Sequence, residues 1–180
     1  MVRWIRQSAT NRRLLALFFM VLVFPLMILP WAAERFAAYS GGGQPLDVSF
    51  GFSPAEAYAT LDALGPDGRT FYLVFQLTGD VAWPIISALF LSTLLAWLFA
   101  RGLPATSPLH RLVMVPFLVL AADYAENVGI IALILAYPQQ LNGVAQLTSA
   151  LQTLKWALVA VSGLLVLVGA AAVVRRGTAR

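Results

Sequence analysis

Cysteine is absent and histidine occurs once, at His110. That excludes disulfides, a thiol nucleophile and cysteine-built iron–sulfur centres, and it leaves no ligand set for zinc or haem of the usual kind. Charge is scarce as well. Charged residues make up 11% of the 180-residue chain, against 60% hydrophobic. A soluble domain carries about 25% charged residues, so this chain has too little polar surface to cover a water-exposed globule. No P-loop, nucleotide-binding glycine pattern or Ser–His–Asp set is present. No metal and no cofactor are expected.

What the sequence does have is four long apolar runs, over about residues 14–33, 81–100, 112–137 and 156–174. At 1.5 Å of rise per residue each can cross a hydrocarbon core about 30 Å thick. The expected fold is all-α: a polytopic membrane protein, a bundle of four transmembrane helices in a single domain spanning 1–180. A cleaved signal peptide is the competing reading of the first run, because Arg3, Arg6, Arg12 and Arg13 precede it. The run is too long for one and no A-x-A site follows. It is expected to be a first span, eased by Pro25 and Pro30.

The charges predict an orientation. Arg3, Arg6, Arg12 and Arg13 lie before span one, Arg101 and Arg111 between spans two and three, and Arg175, Arg176 and Arg180 after span four. These nine of the twelve basic residues have no acidic residue among them. The segment 34–80 carries Glu34, Asp47, Glu56, Asp62, Asp67 and Asp80 against Arg35 and Arg69. The positive-inside rule then places both termini in the cytoplasm of a multi-pass protein of the bacterial cytoplasmic membrane. The net charge of +4 is thereby explained by span ends, and no nucleic-acid partner is expected. Trp4 lies at the inner boundary, and Trp31, Trp83 and Trp156 at the outer one, as interfacial aromatics do.

The outer segment 34–80 carries a short helical cap. Ser53-Pro54-Ala55-Glu56 has a capping residue, a proline for the first helical position and the acid of a capping box. The helix is predicted to run through Ala63 or Leu64, with Gly65 as its terminator and Pro66 beyond. Residues 68–79 read equally as an interfacial helix or as an early start to span two.

Chemistry concentrates on the third span. Asp123, Glu126 and Asn127 stand at i, i+3 and i+4, hence on one helical face. Counting from Arg111, Asp123 lies about 18 Å and Glu126 about 22 Å along the helix, near mid-bilayer. A carboxylate at that depth costs about 2.5–3.5 kcal/mol on insertion scales, so an acid kept there is paired, protonated or useful. If the protein is an enzyme, Asp123 and Glu126 are its catalytic candidates, because buried carboxyls can exchange protons at neutral pH. Asn127 is their candidate hydrogen-bond partner. Asp80, four residues before Pro84, is expected to line the mouth of the site with Glu34 and Arg35 nearby. Lys155 reads as a snorkelling anchor at the outer edge and as a lesser ligand-binding candidate. Arg69 with Tyr72 forms a candidate site for a lipid phosphate. His110 reads as an interfacial residue at the cytoplasmic edge. Ala121, Ala125 and Gly129 form a small-residue stripe expected to receive a neighbouring helix.

Gly68-Arg69-x-x-Tyr72, Asp80-x-x-x-Pro84 and Asp123-x-x-Glu126-Asn127 together resemble an uncharacterised group of small bacterial four-helix membrane proteins, over about residues 53–129. In architecture the chain is also similar to the emopamil-binding-like sterol isomerase family, whose histidine and tryptophan positions have no counterpart here. That likeness implies four spans with intramembrane acids around a lipid pocket. The functional expectation is binding of an amphipathic or lipid-like molecule in an acidic intramembrane cavity open to the outer side, with proton transfer as its chemistry. The partners are then membrane lipids and a lipid-like ligand. An accessory or assembly subunit of a larger membrane complex, joined to a membrane-protein partner or a second copy, and a proton-coupled carrier are the alternatives.

Overall fold

The computed structural model describes residues 10–178, so Arg3, Trp4, Arg6 and Arg180 lie outside the described residues. All regular structure in that range is helical, and four helices are long and apolar enough to cross a membrane. We number the helices α1 (Asn11–Ser40), α2 (Pro54–Ala63), α3 (Gly65–Gly102), α4 (Pro108–Ala136) and α5 (Asn142–Thr178). A short 3-10 turn, Leu46–Val48, lies between α1 and α2.

Helix α1 contains a π-turn at Phe24–Ile28. Pro25 has no N–H to donate, and the ladder there widens so that the Leu29 N–H bonds to the Phe24 carbonyl. The helix stops at Gly41, whose φ of 67° lets the Gly42 N–H turn back to the Ala37 carbonyl at 2.8 Å. The cap helix α2 starts as its sequence demands. Ser53 Oγ accepts from the Glu56 N–H at 3.2 Å, and Glu56 Oε2 accepts from the Ser53 N–H at 2.7 Å.

One boundary is decided between two readings and one differs. Gly65 does end α2, at φ 62°, and Pro66 opens the next helix at once. Proline suits the first turn of a helix, where its missing N–H is not needed. Residues 68–79 are therefore the first turns of α3, which runs unbroken for 38 residues. Helix α5 begins at Asn142, well before the apolar run at 156. Its first turns are polar in composition, which hides them from a hydropathy reading. Ala145, Thr148 and Gln152 nevertheless form one buried face.

At 38 and 37 residues, α3 and α5 are each about 55 Å long, more than the 40–45 Å of a whole bilayer. Their ends near α2 project and build a cap. Its core joins Phe36, Leu46, Tyr58, Leu61, Tyr72 and Leu133 with their neighbours. A second apolar core, with Leu95, Leu98, Phe99, Val113 and Leu165, fills the opposite end, where the arginines are. The acids of the interior and Lys155 lie between these two cores.

Close approach of α3, α4 and α5 is made by glycine. A Cβ on Gly129 would lie 2.0 Å from Thr148 Oγ1, and one on Gly169 would lie 2.9 Å from Leu98 Cβ. Ala121 and Ala125, expected beside Gly129 on a packing stripe, are exposed instead. Steps of four residues drift by about 40° around a helix, so Gly129 has turned toward the buried face while the alanines have not. Helix α1 stands outside this trio, packed mainly along α3 through Phe24 on Trp83, rings stacked at 4.7 Å. At the arginine end it is tied by Asn11 Oδ1, which accepts from Trp97 Nε1 at 2.7 Å and from Arg101 at 3.1 Å.

Candidate functional site

Four elements converge on one polar layer. Helix α3 contributes Tyr72, Gln76 and Asp80, spaced by four and so stacked on one face. Helix α4 contributes Asp123, Glu126 and Asn127, α5 contributes Gln152 and Lys155, and the loop after α1 contributes Asp47. Exposed apolar side chains surround the layer on its outside, as at Val74 and Leu77 on α3, and extend past it to Leu135 on α4 and Leu147 on α5. The layer therefore sits within the lipid-facing belt.

Lys155 is its central cation. Its Nζ lies 2.5 Å from Glu126 Oε2 and 3.4 Å from Asp123 Oδ1, and it donates to the Asp47 carbonyl at 3.3 Å. Glu126 is wholly buried and Lys155 is 8% exposed. The snorkelling role expected for Lys155 is thus corrected. Because α5 starts at Asn142, residue 155 lies deep in the helix on its buried face, and its stem points inward rather than to a headgroup.

Pro84 explains the position of Asn127. A proline within a helix cannot donate to the carbonyl four residues back, here Asp80, and it crowds the adjoining turn. Asn127 Nδ2 donates to the Asp80 carbonyl at 3.1 Å, and the Tyr124 hydroxyl donates to the Val81 carbonyl at 2.7 Å. Asn127 thus holds α3 to α4 through the Asp80 backbone. That leaves the Asp80 carboxyl free to face the interior, where its Oδ2 is buried.

The loop bearing Asp47 is laid across the cap side of the layer. The Tyr72 hydroxyl donates to Asp47 Oδ1 at 2.8 Å and accepts from the Leu46 N–H at 3.2 Å. Gln152 Nε2 donates to the Leu46 and Ser49 carbonyls, each at 2.5 Å, and Trp156 Nε1 donates to the Ser49 carbonyl at 2.8 Å. Gln152 and Trp156 together satisfy the Ser49 carbonyl, while the Leu46 carbonyl also closes the 3-10 turn by accepting from the Ser49 N–H.

Several buried polar atoms in the layer have no partner: both side-chain polar atoms of Gln76, Asp80 Oδ2, Asp123 Oδ2, Glu126 Oε1 and Gln152 Oε1. Unpartnered buried polar atoms cost about 1–3 kcal/mol each, so six together mark a place where water or a ligand belongs. A cavity of about 360 Å³ adjoins this layer between α1 and α3. Asp47 and Tyr72 stand in its wall, and Leu29, Phe36, Phe71 and Phe75 make the rest largely apolar. Among the described residues no group of three or more His, Asp and Glu side chains is arranged to hold a metal.

Other expected site residues go elsewhere. Arg69 donates to the Leu61 carbonyl at 2.8 Å and lies 4.1 Å over the Tyr137 ring, on the outside of the cap. Tyr72 is one turn further on and turned inward, so the pair does not form a common phosphate site. Glu34 and Arg35 are exposed on α1 and take no part in the layer. His110 is buried at the arginine end rather than interfacial, with Nε2 3.1 Å from the Pro104 carbonyl and its ring edge-on to Phe99. Asp47, Gln76 and Gln152 are site residues that the sequence reading missed. For Gln76 a signal existed, its spacing of four from both Tyr72 and Asp80. For Asp47 there was none.

No family model, curated protein or solved structure matches the chain.

Proposed function

We propose that this protein binds an amphipathic, lipid-like molecule, with its polar end in the layer formed by Asp47, Gln76, Asp80, Asp123, Glu126 and Lys155 and its apolar part in the cavity between α1 and α3. The observation that carries this reading is the set of unpartnered buried polar atoms in a layer whose members Asp47 and Tyr72 also stand in the wall of an apolar cavity. A pocket of some 300–1,000 Å³ with a few convergent polar groups is the usual form of a small-molecule site. Asp80, Asp123 and Glu126 are the groups placed to exchange a proton with a bound molecule. The core at the arginine end, around Leu95, Phe99, Val113 and Leu165, closes the other side of the layer. A closed half favours binding or chemistry at the site over passage through the membrane.

In this reading the cap lies on the outer face of a bacterial cytoplasmic membrane and both termini in the cytoplasm, supported by Arg12, Arg13, Arg101, Arg111, Arg175 and Arg176 at one end and the acids of the cap at the other. Two experiments test it. Single cysteines at Gly42 and Gln140 should react with an impermeant thiol reagent in intact cells, and one at Thr106 only after lysis. Labelling of position 106 in intact cells overturns the orientation. The protein extracted in mild detergent should carry a bound amphiphile visible by mass spectrometry, and Asp80→Asn should lose it while eluting as a monodisperse helical protein. An empty parent protein, or equal retention by the variant, overturns the binding reading.

A further inference from the structure

We propose that the headgroup taken by this site is a primary ammonium, held between Asp47 and Asp80 on the side of the layer that Lys155 leaves uncompensated. This rests on the binding reading above and specifies its ligand. The polar layer holds the carboxyl groups of Asp47, Asp80, Asp123 and Glu126, and among the described residues Lys155 is the cation that pairs with them. Its ion pairs go to Asp123 and Glu126. Toward Asp47 it offers a hydrogen bond to the backbone carbonyl only. Asp80 Oδ2 has no partner, and fully buried Gln76 stands one turn away with neither polar atom paired. On this side of the layer the unpartnered atoms are Asp80 Oδ2, Gln76 Oε1 and Gln76 Nε2, two acceptors to one donor, so the missing group has to supply donors.

Each competing headgroup meets an objection at these residues. A carboxylate or phosphate would face an excess of acids. A hydroxyl supplies one donor and no charge. A quaternary ammonium carries charge but no N–H. A primary ammonium brings both, with three N–H donors for Asp47, Asp80 and Gln76 Oε1. The same wall that carries Asp47 and Tyr72 continues into Leu29, Phe36, Phe71 and Phe75, a surface for a hydrocarbon chain. Two sources share this chemistry, a free single-chain amine and the ethanolamine headgroup of a bilayer phospholipid.

The full chain in phosphatidylcholine nanodiscs, titrated with dodecylamine, dodecyltrimethylammonium, dodecanol and dodecanoate, tests the proposal by thermal unfolding and tryptophan fluorescence. Trp156 reports because its indole holds the Asp47 loop at the Ser49 carbonyl. Dodecylamine should bind saturably and at least about tenfold more tightly than the other three, the ratio expected when charge-assisted hydrogen bonds are lost. Asp80→Asn and Asp47→Asn should each weaken it by a similar factor. The second variant keeps the backbone contact to Lys155, which guards against misfolding. Discs containing phosphatidylethanolamine should compete with dodecylamine if the bilayer is the source and leave it unchanged if a free amine is. Equal binding of dodecanol, dodecanoate or the quaternary amine overturns the headgroup assignment and leaves the binding reading standing. Binding of no probe in either disc overturns the assignment and the binding reading together.

Discussion

Lys155 on α5 and Glu126 on α4 meet at 2.5 Å in the buried centre of the bundle, and Asp123 stands 3.4 Å from the same ammonium. Removing one partner of such a pair strands the other charge, which costs about 3–5 kcal/mol, whereas removing the pair together is often close to neutral. Lys155→Met should therefore destabilise by about that amount. The triple change Lys155→Met, Glu126→Gln, Asp123→Asn should recover most of it. Unfolding of the purified variants measures both. A triple variant no more stable than Lys155→Met would mean that the carboxyls hold the helices by other contacts.

Packing of α4 on α5 depends on a hydrogen where other residues carry a methyl. Gly129→Ala places a Cβ 2.0 Å from Thr148 Oγ1, which no rotation of the glycine can relieve. A loss of about 1–3 kcal/mol is expected. Ala125→Leu, one turn earlier and exposed, should change stability by less than about 0.5 kcal/mol. The same unfolding assay decides, and a reversed order would contradict the packing described.

Asn127 and Pro84 should be coupled. Asn127→Leu leaves the Asp80 carbonyl without its donor, a loss of about 1–3 kcal/mol. Pro84→Ala supplies the missing N–H from within α3, so in that background Asn127→Leu should cost little. A double-mutant cycle with no interaction energy would sever the link between the two residues.

The capping box of α2 gives a pH dependence outside the bilayer. The Ser53 N–H and, secondarily, its hydroxyl hold the Glu56 carboxyl below its ordinary value of 4.5. A lowered folded-state pKa stabilises above the unfolded value and is lost as pH falls through the folded one. Amide exchange in the first turn of α2, corrected for intrinsic rate, should therefore speed up as pH drops below about 4.5, and Glu56→Gln should lose that dependence. An unchanged profile in Glu56→Gln would assign the effect to another group.

The four spans were legible because apolar runs of that length have one common use, and the shared face of Asp123, Glu126 and Asn127 followed from helical periodicity alone. The start of α2 was equally plain in Ser53 and Glu56. The partner of the acids was not. Placing Lys155 required knowing that polar residues from Asn142 onward are helical, and then the rotation of α5 about its axis, which is fixed by the approach of Gly129 to Thr148. Asp47 joins from a loop whose path is set by distant hydrogen bonds to Tyr72, Gln152 and Trp156. No local pattern in the sequence encodes such contacts. Asn127 was read as a partner of the acids, but its amide is used by the backbone of Asp80, a carbonyl that Pro84 leaves without a donor.

The two apolar cores lie on either side of the polar layer and answer to different solvents. Around Leu46, Tyr58 and Leu61 the packing is that of a small globule at a water boundary, which urea weakens by solvating what it buries. Around Leu98, Phe99 and Leu165 the alternative to a neighbouring helix is a lipid tail, equally apolar, and cohesion there comes from fit. Chaotropes and detergents therefore attack opposite ends of the molecule, and Lys155, Asp123 and Glu126 sit at the seam where one regime gives way to the other.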